Sequence, residues 1–371
     1  MEFNKKNLLT ILKGLRPLKK NKSKPVLLYI VSKCNKLFFV AKGYPDIEYL
    51  VSDNYQSADM ELVVDLELVI DYISTAKFSS VQFQVDESSL SMDLGYGAVK
   101  VPLRNSDLTN VYWSSTHAHS ELRINRKILK EMTEHFVKIT PTVPLYDSIG
   151  GINFLCDMEA DVLYITATDG VGLISRRVEG VMCTGAKSIF SETISNYDLA
   201  RMDNCVGKNN NNIVFQFNDN KKEYIAYAWK YTFSGNTLGS DYPDFKSIVL
   251  QDLSDNLLLK LNRFELIKKL KAIKKSLQDD VIYIHCANDS VVIGCPYKID
   301  VFFELKGSGS FAPNERLNAS MLLKLLEARS AEYVDIYSKE SSIVVIQDDG
   351  DRNLITLMGT RRPENYEKIK Y

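Results

Sequence analysis

The sequence predicts an α+β fold in which short helices lie on antiparallel sheets, with that arrangement repeated three times along the chain. Three observations carry this prediction. Apolar residues recur at helical spacing in six short segments, most of them opened by a polar residue. Between them lie runs rich in β-branched and aromatic residues, among them VLLYIV (26–31), LFFVA (37–41), VQFQV (81–85), VLYITA (162–167), NIVFQF (212–217), VIYIHC (281–286), VFFEL (301–305) and SSIVVIQ (341–347). The first helical segment of each third starts near Lys5, Asn125 and Asn262. Those starts are roughly 120 to 140 residues apart, about one domain length each.

In chain order, helices are expected at 5–15, 67–75, 125–137, 192–202, 262–277 and 318–329. Asn125, Ser191, Asn262 and Asn318 stand just ahead of the apolar period, where a side-chain oxygen can cap the first turn. Each third therefore reads as helix, several strands, helix, several strands. The first two thirds also end alike, in AVKVPLRNSDLTNVYW (98–113) and WKYTFSGNTLGSDYPDFKSIV (229–249). Linkers near 114–120 and 250–256 give expected domains at 1–117, 118–252 and 253–371.

A chain of 371 residues is too long for one ordinary core, and 45% hydrophobic with 25% charged residues is usual for a folded protein. No run approaches the roughly 20 apolar residues of a membrane span. The start MEFNKKNLLTILKGL is charged and amphipathic, unlike a secretory signal, so a cytoplasmic location is expected. Six cysteines lie scattered without a CxxC pair, which argues against a zinc ribbon or a disulfide scaffold and for buried reduced thiols.

Catalytic patterns are missing. GVMCTGAKS (180–188) has one residue too many before Lys187 for a phosphate-binding loop. His117 and His119 lack a carboxylate or cysteine at metal-ligand spacing, and His135 and His285 stand alone. The acid pairs Asp279-Asp280 and Asp348-Asp349 fall where turns are expected. A binding protein is expected, with no enzymatic activity, cofactor or metal.

The net charge of −1 conceals dense local clusters of lysine. Lys19, Lys20, Lys22 and Lys24 crowd the loop RPLKKNKSKP. In the fifth helix Leu266, Leu270, Ile273 and Leu277 form one stripe, and Lys268, Lys271 and Lys275 point to the far side.

The string VLYITATDGVGLISRRV (162–178) is a strand that stops at Asp169-Gly170 and resumes as a second strand. Together with DYPDFKSIV (241–249) and LITLMGTR (354–361), it resembles the bacterial DNA polymerase sliding clamp, the β subunit family. In that family an alanine-threonine-aspartate-glycine turn, a phenylalanine- or tyrosine-proline-aspartate-tyrosine segment and a methionine-proline-methionine-arginine strand follow in this order. The resemblance spans the whole chain. Val171 and Gly172 depart from the family's usual histidine and arginine, Gly359 and Thr360 from its proline and methionine, and RPENYEKIKY runs past its usual end. Such a divergent member fits a phage or another mobile element.

The resemblance implies three DNA-clamp domains per chain, each with two helices on antiparallel sheets. Two chains would close head to tail as a homodimeric ring around double-stranded DNA, without reading its sequence. DNA polymerase and a clamp loader are the further implied partners, and a membrane is not. A sliding ring must attract phosphate without reading bases. The expected DNA-facing residues are Lys19, Lys20, Lys22, Lys24, Arg126, Lys130, Lys268, Lys271 and Lys275. The implied partner-peptide cleft takes Thr168, Gly170 and Leu173 from the first string and Pro243, Ser247 and Ile248 from the second. Met358, Gly359, Thr360 and Arg361 close it, and the alternative is that all ten are hairpin and core residues. At the ring seam, an edge strand at 97–103 is expected to pair with the third module of the other chain. Val99 and Val101 would then pack near Ala272 and Ile273, unless the two valines face their own core. The competing functional reading is a clamp-fold adaptor or interaction protein that does not encircle DNA.

Overall fold

The computed structural model describes residues 1–16, 25–42, 45–56, 59–105, 120–141, 147–185, 188–206, 212–218, 222–238, 242–245, 257–277, 280–287, 290–295, 298–308, 316–329, 331–339, 343–348 and 351–359. Among them are six α-helices: α1 (Lys5–Gly14), α2 (Leu66–Thr75), α3 (Arg126–Glu134), α4 (Asn196–Cys205), α5 (Arg263–Lys274) and α6 (Ala319–Glu327). In each third the order is one strand, a helix, at least four strands, a second helix and three strands.

Every helix starts where a strand stops, and the last residue of that strand is the cap. The strands are Glu2–Asn4, Met60–Asp65, Ser120–Asn125, Ile189–Ser195, Leu257–Asn262 and Arg316–Asn318. Asn4 accepts from the Asn7 amide at 3.1 Å, Asp65 from Glu67 at 2.9 Å and Asn125 from Ile128 at 3.0 Å. Ser195 accepts from Asp198 at 3.1 Å, Asn262 from Phe264 and Glu265 at 3.1 Å, and Asn318 from Met321 at 2.8 Å. Each cap holds an orphan amide of the first turn and ends the extended backbone in one step. The expected cap at Ser191 is corrected to Ser195. In IFSETIS the extended backbone continues through Ile194, with Phe190, Glu192, Thr193 and Ile194 all buried, so the strand runs four residues further than the helical reading allowed.

A second device also recurs three times. The first residue of the first helix in each third is a cation that reaches the carboxyl end of the second helix. Lys5 Nζ donates to Ser74 O at 3.2 Å and Ala76 O at 2.5 Å, beside the end of α2. Arg126 donates to Val206 O at 3.3 Å, past the end of α4. Arg263 donates to Leu326 O at 3.2 Å in α6 and to Ala331 O at 2.5 Å. These carbonyls carry the negative end of the helix dipole, so a cation both satisfies and neutralises them.

The chain forms two compact units. The first comprises Met1–Lys130, Met182–Lys187 and Ile194–Thr237; the second comprises Glu131–Val181, Ser188–Thr193 and Leu238–Tyr371. The described residues of the first unit form a four-stranded and a nine-stranded antiparallel sheet. In the larger sheet Asp46–Ser52 pairs with Tyr231–Asn236, Ile47 opposite Phe233, across the boundary expected at 117/118. The second unit carries twelve described strands in one sheet. There Gly172–Glu179 pairs with Asp351–Gly359, Ile174 opposite Thr356, across the boundary expected at 252/253. The middle third thus lends strands to both units.

The strands that end each sheet keep one backbone edge without a partner among the described residues, as does part of Lys298–Ser308. Ala98–Pro102 ends the four-stranded sheet and pairs only with Ser89–Asp93. Lys298–Ser308 pairs along one side with Ser290–Cys295, and on the other only Gly307 and Ser308 meet Leu257–Asn262. Helix α2 packs behind the first of these strands and α5 behind the second. Cys34 and Cys205 are free thiols. Cys156 and Cys183 are in disulfide form, which corrects the expectation of reduced thiols for those two.

Candidate nucleic-acid interface and peptide-binding strands

Exposed cations concentrate on the first helix of each third. On α5, Leu266, Leu270 and Ile273 are wholly buried, and Lys268 and Lys275 are exposed on the opposite side. Lys271 is exposed too, but its ammonium lies 2.7 Å from the Glu327 carboxylate. On α3, Lys127 and Lys130 are exposed. Arg126, expected to face DNA, is turned the other way: it pairs with Asp203 at 3.2 Å and is mostly buried. It locks α3 to α4 and is not part of the cationic face. On α1, Lys6 and Lys13 are exposed, and the sequence reading passed over them with Lys127. Their one-turn or two-turn spacing from other exposed polar residues was the available signal. Lys19, Lys20, Lys22 and Lys24 lie outside the described residues.

The second helices balance this charge. Glu67 beside α1 accepts from Arg16 at 2.7 Å, Asp203 accepts from Arg126, and Glu327 accepts from Lys271. One carboxylate in each helix pair neutralises one cation, while Lys6, Lys13, Lys127, Lys130, Lys268 and Lys275 remain exposed. Such a field acts on phosphate within about one Debye length, roughly 8 to 10 Å at physiological salt.

The described residues expected in a peptide cleft lie around two paired strands of the second unit and the turn between them. Val162–Thr168 and Gly172–Glu179 pair antiparallel, with Thr168 opposite Leu173. Asp169 closes the turn by accepting from the Val171 and Gly172 amides at 2.9 and 2.8 Å, while Thr168 donates to Gly172 O at 2.7 Å. Gly170 has φ +88°, a left-handed conformation that accounts for glycine there. Gly172 is glycine for another reason: a Cβ would lie 2.5 Å from the Met321 sulfur of α6. An arginine at this position, as in the family pattern, would require Met321 to move.

Leu173 is buried with Val162, Tyr164 and Phe245, and Tyr242 packs against this cluster. Tyr242 donates to Thr166 O at 3.3 Å, and burial pushes its phenol well above the usual value. Pro243 is exposed between these two anchored rings. Met358 pairs with Gly172 and Val344, and Gly359 with Ile343. Thr168, Gly170, Leu173, Pro243 and the Met358 backbone thus share one region, while Ser247, Ile248, Thr360 and Arg361 lie outside the described residues. Among the described residues no cluster of three or more metal-ligating side chains occurs, and no helix is long and apolar enough to cross a membrane.

Of the seam residues, Val101 and Ile273 have 0% exposure within the single chain and so serve their own cores. Val99 is half-buried and Ala272 exposed. The contact expected between Val101 and Ile273 is corrected accordingly, because neither has surface left to give a second chain.

Full-length comparison with solved structures matches the entire arrangement. The DNA polymerase III subunit beta of Pseudomonas aeruginosa superposes with a TM-score of 0.85 at 12% identity, covering 98% of this chain and 100% of that one. The chain has the sliding-clamp fold. The beta clamp of Helicobacter pylori bound to a DNA ligase peptide gives a TM-score of 0.80 at 16% identity, covering 97% and 99%. The beta subunit from the DNA polymerase of Streptococcus pyogenes gives 0.82 at 13% identity, covering 98% and 99%. No protein-family model and no curated protein sequence matches the chain. The clamp fold therefore persists here at 12 to 16% sequence identity.

Proposed function

We propose that this chain is a DNA sliding clamp, a non-enzymatic ring that encircles duplex DNA and tethers a replicative polymerase. The observation that carries the proposal is the match of the whole chain to whole clamp chains, with TM-scores of 0.80 to 0.85. The charge distribution supports it. Lys6, Lys13, Lys127, Lys130, Lys268 and Lys275 are exposed on α1, α3 and α5, and a sequence-independent ring needs cations that reach phosphate and leave base edges alone.

Ring closure is supported by two of the unpaired strand edges, those of Ala98–Pro102 and Lys298–Ser308. One belongs to the first unit and one to the second, so pairing between two copies is head to tail and heterologous. With three modules at 1–117, 118–252 and 253–371, two copies make a six-module ring. Addition across open edges supplies backbone hydrogen bonds without needing a large apolar area. The strands around Thr168, Gly170, Leu173, Pro243 and Met358 take a short peptide from the polymerase or the clamp loader, as a ligase peptide is bound by the Helicobacter pylori clamp.

Retention on nicked circular duplex tests the reading, with a clamp loader or high protein concentration used to close the ring. Protein held on circles and lost when they are linearised is the expected result. Equal loss from both forms, or no binding to either, favours a clamp-fold adaptor without DNA.

A further inference from the structure

We propose that Trp229 is a stacking platform for a base of single-stranded nucleic acid, with Lys230 and Lys13 placed to meet its phosphates. The inference rests on the DNA-binding reading above and adds to it a site off the helices. Trp229 and Lys230 form the two-residue turn between the strands Glu223–Ala228 and Tyr231–Asn236, where Ala228 pairs with Tyr231. Such turns favour glycine or asparagine, because a central residue takes positive φ. Here Trp229 takes it, at +55°, a conformation that is an outlier for a bulky side chain. The side chain is 71% exposed, more than any other large apolar one among the described residues. A tryptophan held out in water on a strained backbone adds little to the core, and strain of this kind clusters where a site uses it.

The ring is anchored by its neighbours. It meets Tyr49 edge-on at 6.3 Å between centroids, and Tyr49 packs on Tyr231 at 4.7 Å. The Lys230 carbonyl accepts from the Leu50 amide at 2.9 Å, which fastens the turn to the neighbouring strand. Tyr231 carries the row of rings on to a helix end: a Cβ on Gly14, the last residue of α1, would lie 3.5 Å from its hydroxyl. Three packed rings thus lead from the carboxyl end of α1, where Lys13 is exposed, to Trp229.

Charge selects the ligand. Lys230 Nζ lies 5.6 Å from the centre of the Trp229 ring. A cationic side chain from a partner protein meets repulsion there, while a planar group that carries an anion is attracted by both the ring and the ammonium. Glu48 and Glu121 lie near Tyr227 and steer a phosphate away from that part of the sheet, toward Lys230 and Lys13. A base inside a duplex is already stacked on both sides, so the ligand is an unpaired strand. Every base has a π face to offer, so the platform reads no sequence.

Trp113 and Trp229 are the tryptophans of the chain, so in full-length Trp113→Phe the indole emission comes from Trp229. Oligothymidylate is expected to quench that emission. Trp229→Gly is expected to weaken oligothymidylate binding by about tenfold and to be held on nicked circular duplex as the native chain is. It is also expected to melt no lower than the native chain, because glycine accepts positive φ. Trp229→Phe should keep most of the binding, and Lys230→Gln should lower its salt slope by about 0.7. Unchanged oligothymidylate affinity in Trp229→Gly, or a marked fall in its melting temperature, overturns the platform. Quenching by a polymerase or clamp-loader peptide, where oligothymidylate gives none, makes the turn a protein contact and overturns it too. A chain that is held on circles but ignores oligothymidylate loses the platform and keeps the clamp reading, whereas failure on both overturns the DNA reading as well.

Discussion

His135 follows α3 directly, half-buried beside Lys138, and burial together with that lysine holds its imidazole below the usual 6.5. The unfolded chain takes up a proton as pH falls through 6.5, and the folded chain does so only at lower pH. Stability contributed by neutral His135 is therefore present above 6.5 and declines as pH falls toward the folded value. Urea unfolding at pH about 7.5 and about 5.5 should show that decline in the native protein and a smaller one in His135→Gln. An equal decline in both would place the titration elsewhere. At this scale the sequence was legible where a residue acts on its neighbours. Asp169-Gly170 was readable as a hairpin, and Asn125, Asn262 and Asn318 as caps. It was not legible where the reason is distant. Gly172 is fixed by Met321 in another helix, and no local pattern carries that fact.

Helices pose a different problem. A helical wheel gives the direction of a side chain but not which neighbour lies there, which is why Arg126 read as solvent-facing. It sits at the first position of α3, where the carboxyl end of α4 draws the guanidinium inward. The equivalent roles of Lys5 and Arg263 depend on the pairing of two helices far apart in the chain, which no single helical segment encodes. The two classes of cation should separate in DNA binding. Charge reversal of Lys127, Lys268 and Lys275 together is expected to weaken binding and flatten its salt dependence, by about one unit of slope for each lysine withdrawn from a phosphate. Arg126→Gln is expected to leave that slope unchanged and to lower the melting temperature. Binding titrations over a salt series, read beside thermal melts, check both outcomes. If Arg126→Gln also flattens the slope, its assignment as a helix lock is wrong.

Over the whole chain, the threefold helix-and-strand order could be read from the sequence, but the way the thirds are joined could not. Arg201 on α4 is almost fully buried and donates to Pro45 O at 2.7 Å and Leu15 O at 3.1 Å, tying the second third to the first. The Cys205 thiol, one turn on, donates to Gly14 O at 3.0 Å, and burial pushes its pKa up to about 12, so it stays protonated. Asp198 beside them accepts from the Tyr224 hydroxyl at 2.7 Å, and burial raises its carboxyl above the usual value. Arg201→Met would strand two buried carbonyls and is expected to cost about 2 to 4 kcal/mol in chemical denaturation. A loss below about 0.5 kcal/mol, the range of ordinary surface substitutions, would show that this tie is dispensable.

The sheets that cross the expected boundaries bear on how a closed ring would respond to tension around its circumference. At each internal join, successive residues are bonded side by side, Tyr231 to Ser234 against Asp46 to Tyr49 and Gly172 to Arg176 against Leu354 to Met358. Parting either join means breaking a whole ladder at once and exposing the core beneath it. The chain also runs through these joins, so a break there cannot free one half from the other. In the proposed ring, the seam between copies would have no covalent thread. Strain applied to the hoop would therefore be released at one seam while each copy kept its internal ladders, and DNA would enter by a gate that leaves both hydrophobic cores closed.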